Sequence, residues 1–225
     1  LMQDDFTTLT RQKKLTVMDL RELTSSAYVL RMEREDITFR PGQCVILGLP
    51  GKQDMREYSL YNAADEPCFE VLIKLVDEGC VSRQLKRCSK GDSILMEGPV
   101  GFFTLRVEDI TTRRFVFVAS GTGIAPFHSM VKSYPELDYA VLHGVREADD
   151  AYDRGAYASE RYTLCTSRDD SGHFHGRVTD YLRQYPADPR ALYQLCGNVR
   201  MIDDVCDILE GQGVPVDNIR SEVYF

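Results

Sequence analysis

The sequence predicts a protein of two domains, a β-rich domain followed by one in which strands and helices alternate. Residues 1 to about 108 contain many short apolar runs separated by Gly and Pro turns. From about residue 112 onward, buried-strand patterns alternate with helical patterns. The 225 residues, 43% of them hydrophobic, are enough for two cores of ordinary size. We therefore expect domains at 1–108 and 109–225.

Five short apolar runs in the first half are typical of strands. They lie at 28–32, 44–47, 58–61, 69–73 and 93–96. Turn signals such as Pro41-Gly42, Pro50-Gly51 and Gly98-Pro99 separate them. Strands this short and closely spaced predict a small antiparallel barrel or sandwich, with one helix near Val81 to Cys88.

The second half opens on a continuous apolar run, Phe115 to Ala119, which is typical of a parallel strand buried on both faces. Similar runs follow at 139–143, 162–166 and 192–196. The clearest helix begins at the cap Asn198 and ends at Gly211 and Gly213. One face of that helix carries Met201, Val205, Ile208 and Leu209. This alternation predicts an open, mostly parallel sheet.

Charge and cysteine usage limit the function. The chain has 35 acidic and 27 basic residues, so its formal net charge is −8, which disfavours binding to nucleic acid or to an acidic membrane surface. The apolar runs are too short to span a bilayer, and the start lacks a secretory pattern. Seven cysteines without a CxxC pair predict reduced thiols, no metal site and no plant-type iron–sulfur ligand set in this chain. We expect a cytoplasmic monomer.

The first run with chemical content is the loop Gly121-Thr122-Gly123 at the end of an apolar strand, with Pro126 in the first turn of the helix that follows. Glycines in such a loop let backbone N–H groups approach a phosphate closely. The loop differs from the G-x-G-x-x-G pattern of standard dinucleotide folds, and alone it is equally compatible with an ordinary tight turn.

Four more motifs occur in a fixed order around this loop. They are Arg56-Glu57-Tyr58-Ser59, Gly79-Cys80-Val81-Ser82 with Leu85, Cys196-Gly197 with Met201, and the terminal Glu222-Val223-Tyr224-Phe225. Together the five motifs resemble the ferredoxin/flavodoxin–NADP reductase family, and the final aromatic residue resembles its bacterial branch. The resemblance covers nearly the whole chain. It implies an antiparallel β-barrel FAD-binding domain followed by an α/β parallel-sheet, Rossmann-like NADP-binding domain.

The resemblance also implies an activity and an FAD site. The enzyme would exchange a hydride with NADP(H) at flavin N5 and single electrons with a separate ferredoxin or flavodoxin. Arg56 would hold the FAD pyrophosphate, Tyr58 and Tyr224 would cover the two flavin faces, and Ser59 would lie beside N5. Further FAD contacts are implied for the backbone at Ile73 and Lys74, for the helix start at Gly79, Cys80, Val81 and Ser82, and for Phe225.

For the nucleotide, the resemblance assigns Gly121, Thr122, Gly123 and Pro126 to the pyrophosphate and Cys196, Gly197 and Glu222 to the nicotinamide. The candidate catalytic residues are Ser59, Cys196, Glu222 and Tyr224, and we do not expect Cys196 to be a nucleophile. Arg146, Arg168 with its neighbour Ser167, and Arg177 follow successive elements and favour NADP over NAD, because a guanidinium suits a 2′-phosphate. Nearby acids would oppose that phosphate if they pointed inward; they are Glu147, Asp149, Asp169 and Asp170.

Two other functions remain open: the NAD(P)H-dependent reductase component of an oxygenase system, and a flavin electron-relay or regulatory subunit without pyridine-nucleotide activity. An acidic carrier protein would need a basic docking face. Candidates for it are Arg83, Lys86, Arg87 and Lys90, with Arg11, Lys13 and Lys14 near the start. We interpret His173 and His175 as part of a solvent loop rather than as a metal-binding pair.

Overall fold

The computed structural model describes residues 12–76 and 80–224. The strands of the first half are β1 (Lys13–Thr24), β2 (Ala27–Glu33), β3 (Cys44–Gly48), β4 (Met55–Ser59), β5 (Cys68–Lys74) and β6 (Ser93–Val100). They form one antiparallel sheet in the order β4-β3-β6-β1-β2-β5. A bridge between Leu60 and Val71 brings the two ends of the sheet together. The predicted antiparallel barrel is confirmed.

Strand β1 is missing from the sequence prediction. Its first residues pair with β6 and its later ones with β2, so it connects the two sides of the barrel. Most of its side chains are exposed or half-buried, and only Leu15 and Val17 are fully buried. A strand with so few buried positions lacks the alternation that identifies strands in a sequence.

Two short helices belong to the first half and its end, α1 (Cys80–Lys86) and α2 (Val107–Ile110). Helix α1 ends two residues before the predicted Cys88. The predicted strand 58–61 is displaced, because β4 ends at Ser59 and Leu60 already contacts β5. The domain boundary at 108/109 falls inside α2 and stays a prediction.

The second half forms a six-stranded parallel sheet in the order β10-β9-β8-β7-β11-β12. Its strands are β7 (Phe115–Ser120), β8 (Tyr139–Val145), β9 (Tyr162–Thr166), β10 (Phe174–His175), β11 (Leu192–Gly197) and β12 (Ile219–Val223). Its helices are α3 (Ala125–Ser133), α4 (Val178–Gln184) and α5 (Val199–Gly211). The predicted parallel sheet is confirmed. Chain order reverses between β7 and β11, and ligands of such sheets bind at the carboxyl ends of the strands at this point.

Two local predictions can be compared with the structure. The solvent position predicted for His173 and His175 agrees with their exposure, but the predicted loop is wrong at Phe174 and His175, which pair in parallel with β9. The Phe174 ring packs edge-on against Tyr181. The cap of α5 is confirmed, since the Asn198 side chain accepts a hydrogen bond from the Arg200 N–H at 3.1 Å. The buried face of that helix includes Ile202, where the sequence prediction had Met201.

The two halves share an apolar core. Val29, Tyr61 and Leu72 of the barrel half belong to the same cluster as Phe117 and Phe127 of the second half. The barrel and the parallel sheet are therefore packed against each other rather than joined by a linker alone. None of the helices in the described part of the chain is both long enough and apolar enough to cross a membrane.

Candidate flavin and nucleotide site

A cleft of about 760 Å³ lies between the barrel and the carboxyl edge of the parallel sheet. Ten of the predicted site residues line it: Arg56, Tyr58, Ser59, Lys74, Cys80, Val81, Ser82, Thr122, Glu222 and Tyr224. Its volume is within the range of cofactor sites. The structure thus brings together in one cleft the motifs that contain Arg56, Cys80, Thr122 and Glu222.

The barrel wall of this cleft contains side chains that sequence reasoning missed. Cys44 of β3 pairs directly with Ser59 of β4, and Ile46 pairs with Glu57. Directly paired residues of antiparallel strands project to the same side of the sheet. The four side chains therefore form one surface, and all of them line the cleft. Only the pairing register brings Cys44 beside Ser59, and no motif contains it.

Ser59 and Glu222 meet across the cleft. The buried Ser59 donates a hydrogen bond from Oγ to Oε2 of Glu222 at 3.4 Å. Burial raises the pKa of the Glu222 carboxyl to about 7, the Ser59 bond partly offsets this rise, and the charge of Glu57 adds to it. A carboxyl group with this pKa can hold or release a proton near neutral pH beside the Ser59 hydroxyl.

Tyr224 lines the opposite wall of the cleft, whereas the predicted residue Cys196 is buried in the core and does not line it. The Tyr224 N–H donates to the Gly197 carbonyl at 2.8 Å, and the Tyr224 hydroxyl is buried beside Ser59. Burial, and then the charge of Glu222, raise the pKa of the Cys196 thiol well above its ordinary value. An uncharged, buried thiol is a poor nucleophile, which supports the interpretation that Cys196 is not one.

Two loops at the carboxyl edge, residues 121–123 and 196–198, fit against each other and are called here the glycine-locked loop pair. A Cβ atom on Gly123 would lie 2.3 Å from the Cys196 carbonyl oxygen. Gly197 has φ +141°, and a Cβ atom there would lie 2.2 Å from Ser120 Oγ. Ser120 Oγ also accepts a hydrogen bond from the Asn198 N–H at 3.0 Å. The contact therefore requires glycine at both positions.

The predicted loop after β7 is a single 3₁₀ turn, Gly121–Ile124, that leads directly into α3 with Pro126 in its first turn. The buried ring of His143 supports this turn, with Nε2 at 2.8 Å from the Gly121 carbonyl oxygen and Nδ1 at 2.7 Å from the Tyr162 hydroxyl. A carbonyl only accepts, so Nε2 carries the proton and the Tyr162 hydroxyl donates to Nδ1. Burial lowers the pKa of His143 to about 4, which keeps the ring neutral.

Arg146, Arg168 and Arg177, with Ser167 beside Arg168, form what we call the arginine edge. They follow β8, β9 and β10, which are neighbours in the sheet. The Arg168 N–H donates to the Arg146 carbonyl at 2.9 Å, so the first two loops are in contact. All four side chains are exposed. The topology therefore brings the predicted phosphate-binding residues to one edge of the sheet.

Two of the acids near this edge have local partners. Asp169 accepts hydrogen bonds from the Ala148 N–H at 2.8 Å and from the Ser171 N–H at 3.0 Å, and these bonds lower its pKa. Asp170 contacts His175 Nδ1 at 2.8 Å. The Asp169 carboxylate thus holds the backbone of its own loop and of the β8 loop.

The remaining predicted binding and docking residues lie in the barrel core, on its surface or outside the described residues. Ile73 is fully buried in the barrel core, which leaves its backbone as the predicted contact. Gly79 and Phe225 lie outside the described residues, as does Arg11. Lys86 forms an ion pair with Glu22 at 2.5 Å and lies over the Tyr28 ring, so it is less available for docking than the sequence suggests.

Comparison with known proteins gives two family matches. Residues 14–105 match the model of an oxidoreductase FAD-binding domain, and residues 117–207 match that of an oxidoreductase NAD-binding domain. Ferredoxin–NADP reductase B of Sorangium cellulosum is 30% identical over 91% of this chain and 94% of the relative. The toluate 1,2-dioxygenase electron transfer component of Pseudomonas putida is 28% identical over 92% of this chain, which spans 66% of that longer relative.

The fold has a similar solved counterpart. The crystal structure of a ferredoxin NADP+ reductase from Neisseria gonorrhoeae, with bound FAD and NADP, matches 95% of this chain and 99% of its own length with a TM-score of 0.83 at 23% identity. The two domain matches and the reductase relative agree with the order of the five motifs. The chain belongs to the ferredoxin/flavodoxin–NADP reductase family of flavoprotein oxidoreductases, which use FAD and a pyridine nucleotide.

Proposed function

We propose that this chain is an FAD-dependent ferredoxin (or flavodoxin)–NADP reductase. The observation that carries the proposal is the arginine edge, where Arg146, Arg168 and Arg177 follow three neighbouring parallel strands. Guanidinium groups bind a phosphate with several hydrogen bonds, which suits the 2′-phosphate that distinguishes NADP from NAD. The local hydrogen bonds of Asp169 hold its carboxylate on backbone N–H groups of Ala148 and Ser171.

The cleft fits a flavin. It has the volume of a cofactor site, Tyr58 and Tyr224 provide aromatic surfaces within it, and the Arg56 guanidinium in the same cleft suits a pyrophosphate. In this proposal Arg56, Lys74 and the start of α1 hold the FAD, which supplies the conversion between a hydride and single electrons. Ser59 orients the Glu222 carboxyl, and Glu222 holds or releases a proton at Oε2.

The loop pair would hold the nucleotide. Thr122 lines the cleft, and its neighbour Gly123 lets the backbone lie close to Cys196 and Gly197. Buried Cys196 would exclude water from the nicotinamide side without reacting itself.

A protein acceptor is supported by Phe102, whose side chain is 97% exposed. Its neighbour Gly101 lies close to Cys44 of the cleft wall, because a Cβ atom added to Gly101 would lie 3.8 Å from Cys44 Sγ. In this proposal Phe102 would be covered by the protein acceptor. We propose a ferredoxin or flavodoxin as that partner.

The test is reduction of ferricyanide by the holoprotein with NADPH and with NADH, after the flavin has been identified. We expect kcat/KM to be at least about tenfold higher with NADPH, since a hydrogen-bonded charge contributes roughly 1.5–3 kcal/mol. Equal values for the two nucleotides would remove the proposed NADP specificity. A flavin that NADPH does not bleach would instead support the electron-relay or regulatory subunit.

A second candidate is the reductase component of an oxygenase system. It is favoured by relatives named as electron transfer components of toluate and anthranilate dioxygenases, 28% and 26% identical to this chain. This chain spans 66% and 59% of those relatives. Comparing the rates at which the holoprotein reduces a ferredoxin, a flavodoxin and an isolated oxygenase component separates the two candidates.

A further inference from the structure

Besides the shared apolar core and the Ser59–Glu222 contact, the described residues of the barrel hydrogen-bond to the second half at two neighbouring places. The first is the face of α3, where the Ser129 hydroxyl donates to the Asn62 carbonyl at 2.6 Å. On the same helix, His128 Nδ1 lies 2.7 Å from the Tyr61 carbonyl, to which it must donate. Both partners lie in the segment that follows β4, so α3 is fastened to the barrel beside the cleft.

The second place is the connection between β8 and β9, at Asp153. Arg21 of β1 donates two hydrogen bonds to the Asp153 carboxylate, at 2.8 and 2.7 Å. The Tyr61 hydroxyl donates to the same carboxylate at 3.0 Å. We call these three residues the interdomain bridge. The hydrogen bonds and charge of Arg21, with the Tyr61 bond, hold the pKa of Asp153 below its ordinary value despite its partial burial.

The bridge is fixed at both ends. On the barrel side the Tyr61 ring stacks on His128 with centroids 3.8 Å apart, so the bridge and the α3 contact share one side chain. On the other side Asp153 adopts φ +45°, a left-handed conformation that is unfavourable for this residue unless its surroundings compensate. Bidentate pairing with Arg21 is such a compensation.

The contact at Asp153 adds to those made by α3, by Ser59 with Glu222 and by the shared apolar core. It fixes a different part of the second half, the connection between β8 and β9. Asp153 lies in the connection that begins at Arg146 of the arginine edge. The bridge therefore ties the nucleotide end of the parallel sheet to the barrel that lines the cleft.

We propose that Asp153, held by Arg21 and Tyr61, is a positioning residue that fixes the orientation of the nucleotide-binding half relative to the flavin-binding barrel. This inference rests on the proposed function. It assigns a catalytic consequence to residues outside the cleft, because small displacements of reacting groups cost large factors in rate.

The test uses the holoprotein with Asp153→Asn, which removes the charge and keeps the size. We expect amide hydrogen exchange at residues 18–24 and 150–156 to become roughly tenfold faster, as expected for the loss of a charged hydrogen bond. Flavin reduction at saturating NADPH should slow by roughly tenfold. Binding of 2′-phospho-AMP, which needs only the second half, should change by less than about twofold.

Asp150→Asn is the matched control, because Asp150 lies in the same connection and accepts a hydrogen bond from Tyr152 of that connection at 3.0 Å. It should leave the exchange at residues 18–24 and the reduction rate unchanged. Arg21→Lys, made from the barrel side, keeps the charge but loses the paired hydrogen bonds, and should give a smaller change in the same direction. It replaces Asp153→Asn if that variant does not fold.

Unchanged exchange and an unchanged reduction rate in the bridge variants would overturn the inference. An equal loss of 2′-phospho-AMP binding would also overturn it, since the substitution would then have damaged the nucleotide loop itself. If NADPH does not reduce the wild-type flavin, the proposed function fails. In that case the exchange data still decide whether the bridge holds the two halves together.

Discussion

The glycine-locked loop pair and the arginine edge lie on the same side of one sheet but are built in opposite ways. In the loop pair, backbone meets backbone, and the position of a Cβ atom on Gly123 is only 2.3 Å from the Cys196 carbonyl oxygen. At the arginine edge, the groups proposed to bind phosphate are exposed side chains. One region is fixed by steric exclusion, and the other depends on charge.

This difference has a functional consequence. A site built from close backbone contacts is formed before the ligand arrives and tolerates little change. A site built from solvated side chains must order them on binding, and each can be replaced at little cost to folding. We therefore expect nucleotide position to depend on the loop pair and the choice between NADP and NAD to depend on the arginine edge.

The largest effect is expected from Gly123→Ala. The new methyl group would overlap the Cys196 backbone, which cannot rotate away as a side chain could, so the two loops must separate. We expect a loss of about 3 kcal/mol in the free energy of unfolding, by analogy with overpacked cores. Urea denaturation of the variant and the wild-type holoprotein measures it, and NADPH-driven flavin reduction should be lost in parallel.

Gly121→Ala is the matched control in the same turn. Gly121 has φ +53°, but no described atom lies within 4 Å of the position of its Cβ. The substitution should therefore cost only the left-handed strain of an alanine, about 1 kcal/mol. If both variants lose the same free energy of unfolding, backbone conformation rather than steric locking determines the stability of this region.

An intermediate effect is expected from Arg168→Ala. It should raise KM for NADPH by about tenfold, since one charged hydrogen bond contributes roughly 1.5 kcal/mol. The kcat value and the activity with NADH should stay within about twofold, because the loop pair is untouched. Steady-state kinetics with ferricyanide measure kcat and KM for NADPH and for NADH. Arg183→Ala, an exposed arginine of α4 that pairs with Asp180, should leave them unchanged.

A matching rise in KM for NADH would contradict this prediction. It would mean that Arg168 contacts a part shared by both nucleotides, and the contrast between the two regions would then lose its functional meaning.

The fold could be predicted where burial is continuous. Strands β7, β8, β9 and β11 appear in the sequence as apolar runs because both faces of a parallel sheet are covered. Strand β12 gives no such signal, because only Ile219 and Val223 of its five residues are apolar and three polar residues separate them at the edge of the sheet. The two-residue strand β10 is too short for any periodicity.

The candidate site was predictable only where a motif is local. The order of the five motifs identified Ser59 and Glu222, but their 3.4 Å contact joins residues far apart in the chain and depends on the packing of the two halves. Cys44 and Glu57 reach the cleft through strand register, and Arg21 meets Asp153 through the same packing. Such pairings follow from topology, which a single sequence does not contain.

The smallest effect is expected from Glu222→Gln, at the point where the loop pair meets the barrel. Native Glu222 has a pKa of about 7, against 4.5 for an unperturbed glutamic acid. Between these two pH values the folded protein keeps a proton that the unfolded chain has released. The free energy of unfolding of the wild type therefore falls as pH rises through this window, and it levels off above pH 7.

Glutamine at this position has no charge to bury, so the variant should lack this fall. The difference between the two proteins should reach about 1 kcal/mol at pH 8, a value reduced for the solvent that reaches the side chain. Urea denaturation of the holoproteins at pH 5 and pH 8 measures it, with the exposed Glu210→Gln as a control.

Parallel pH dependence in wild type and Glu222→Gln would mean that the Glu222 carboxyl ionises as it does in water. The proton held beside Ser59 would then have to be assigned to another group. That result would mean that this end of the cleft is solvated like the arginine edge. The boundary between the sterically fixed and the solvated region would then lie within the glycine-locked loop pair.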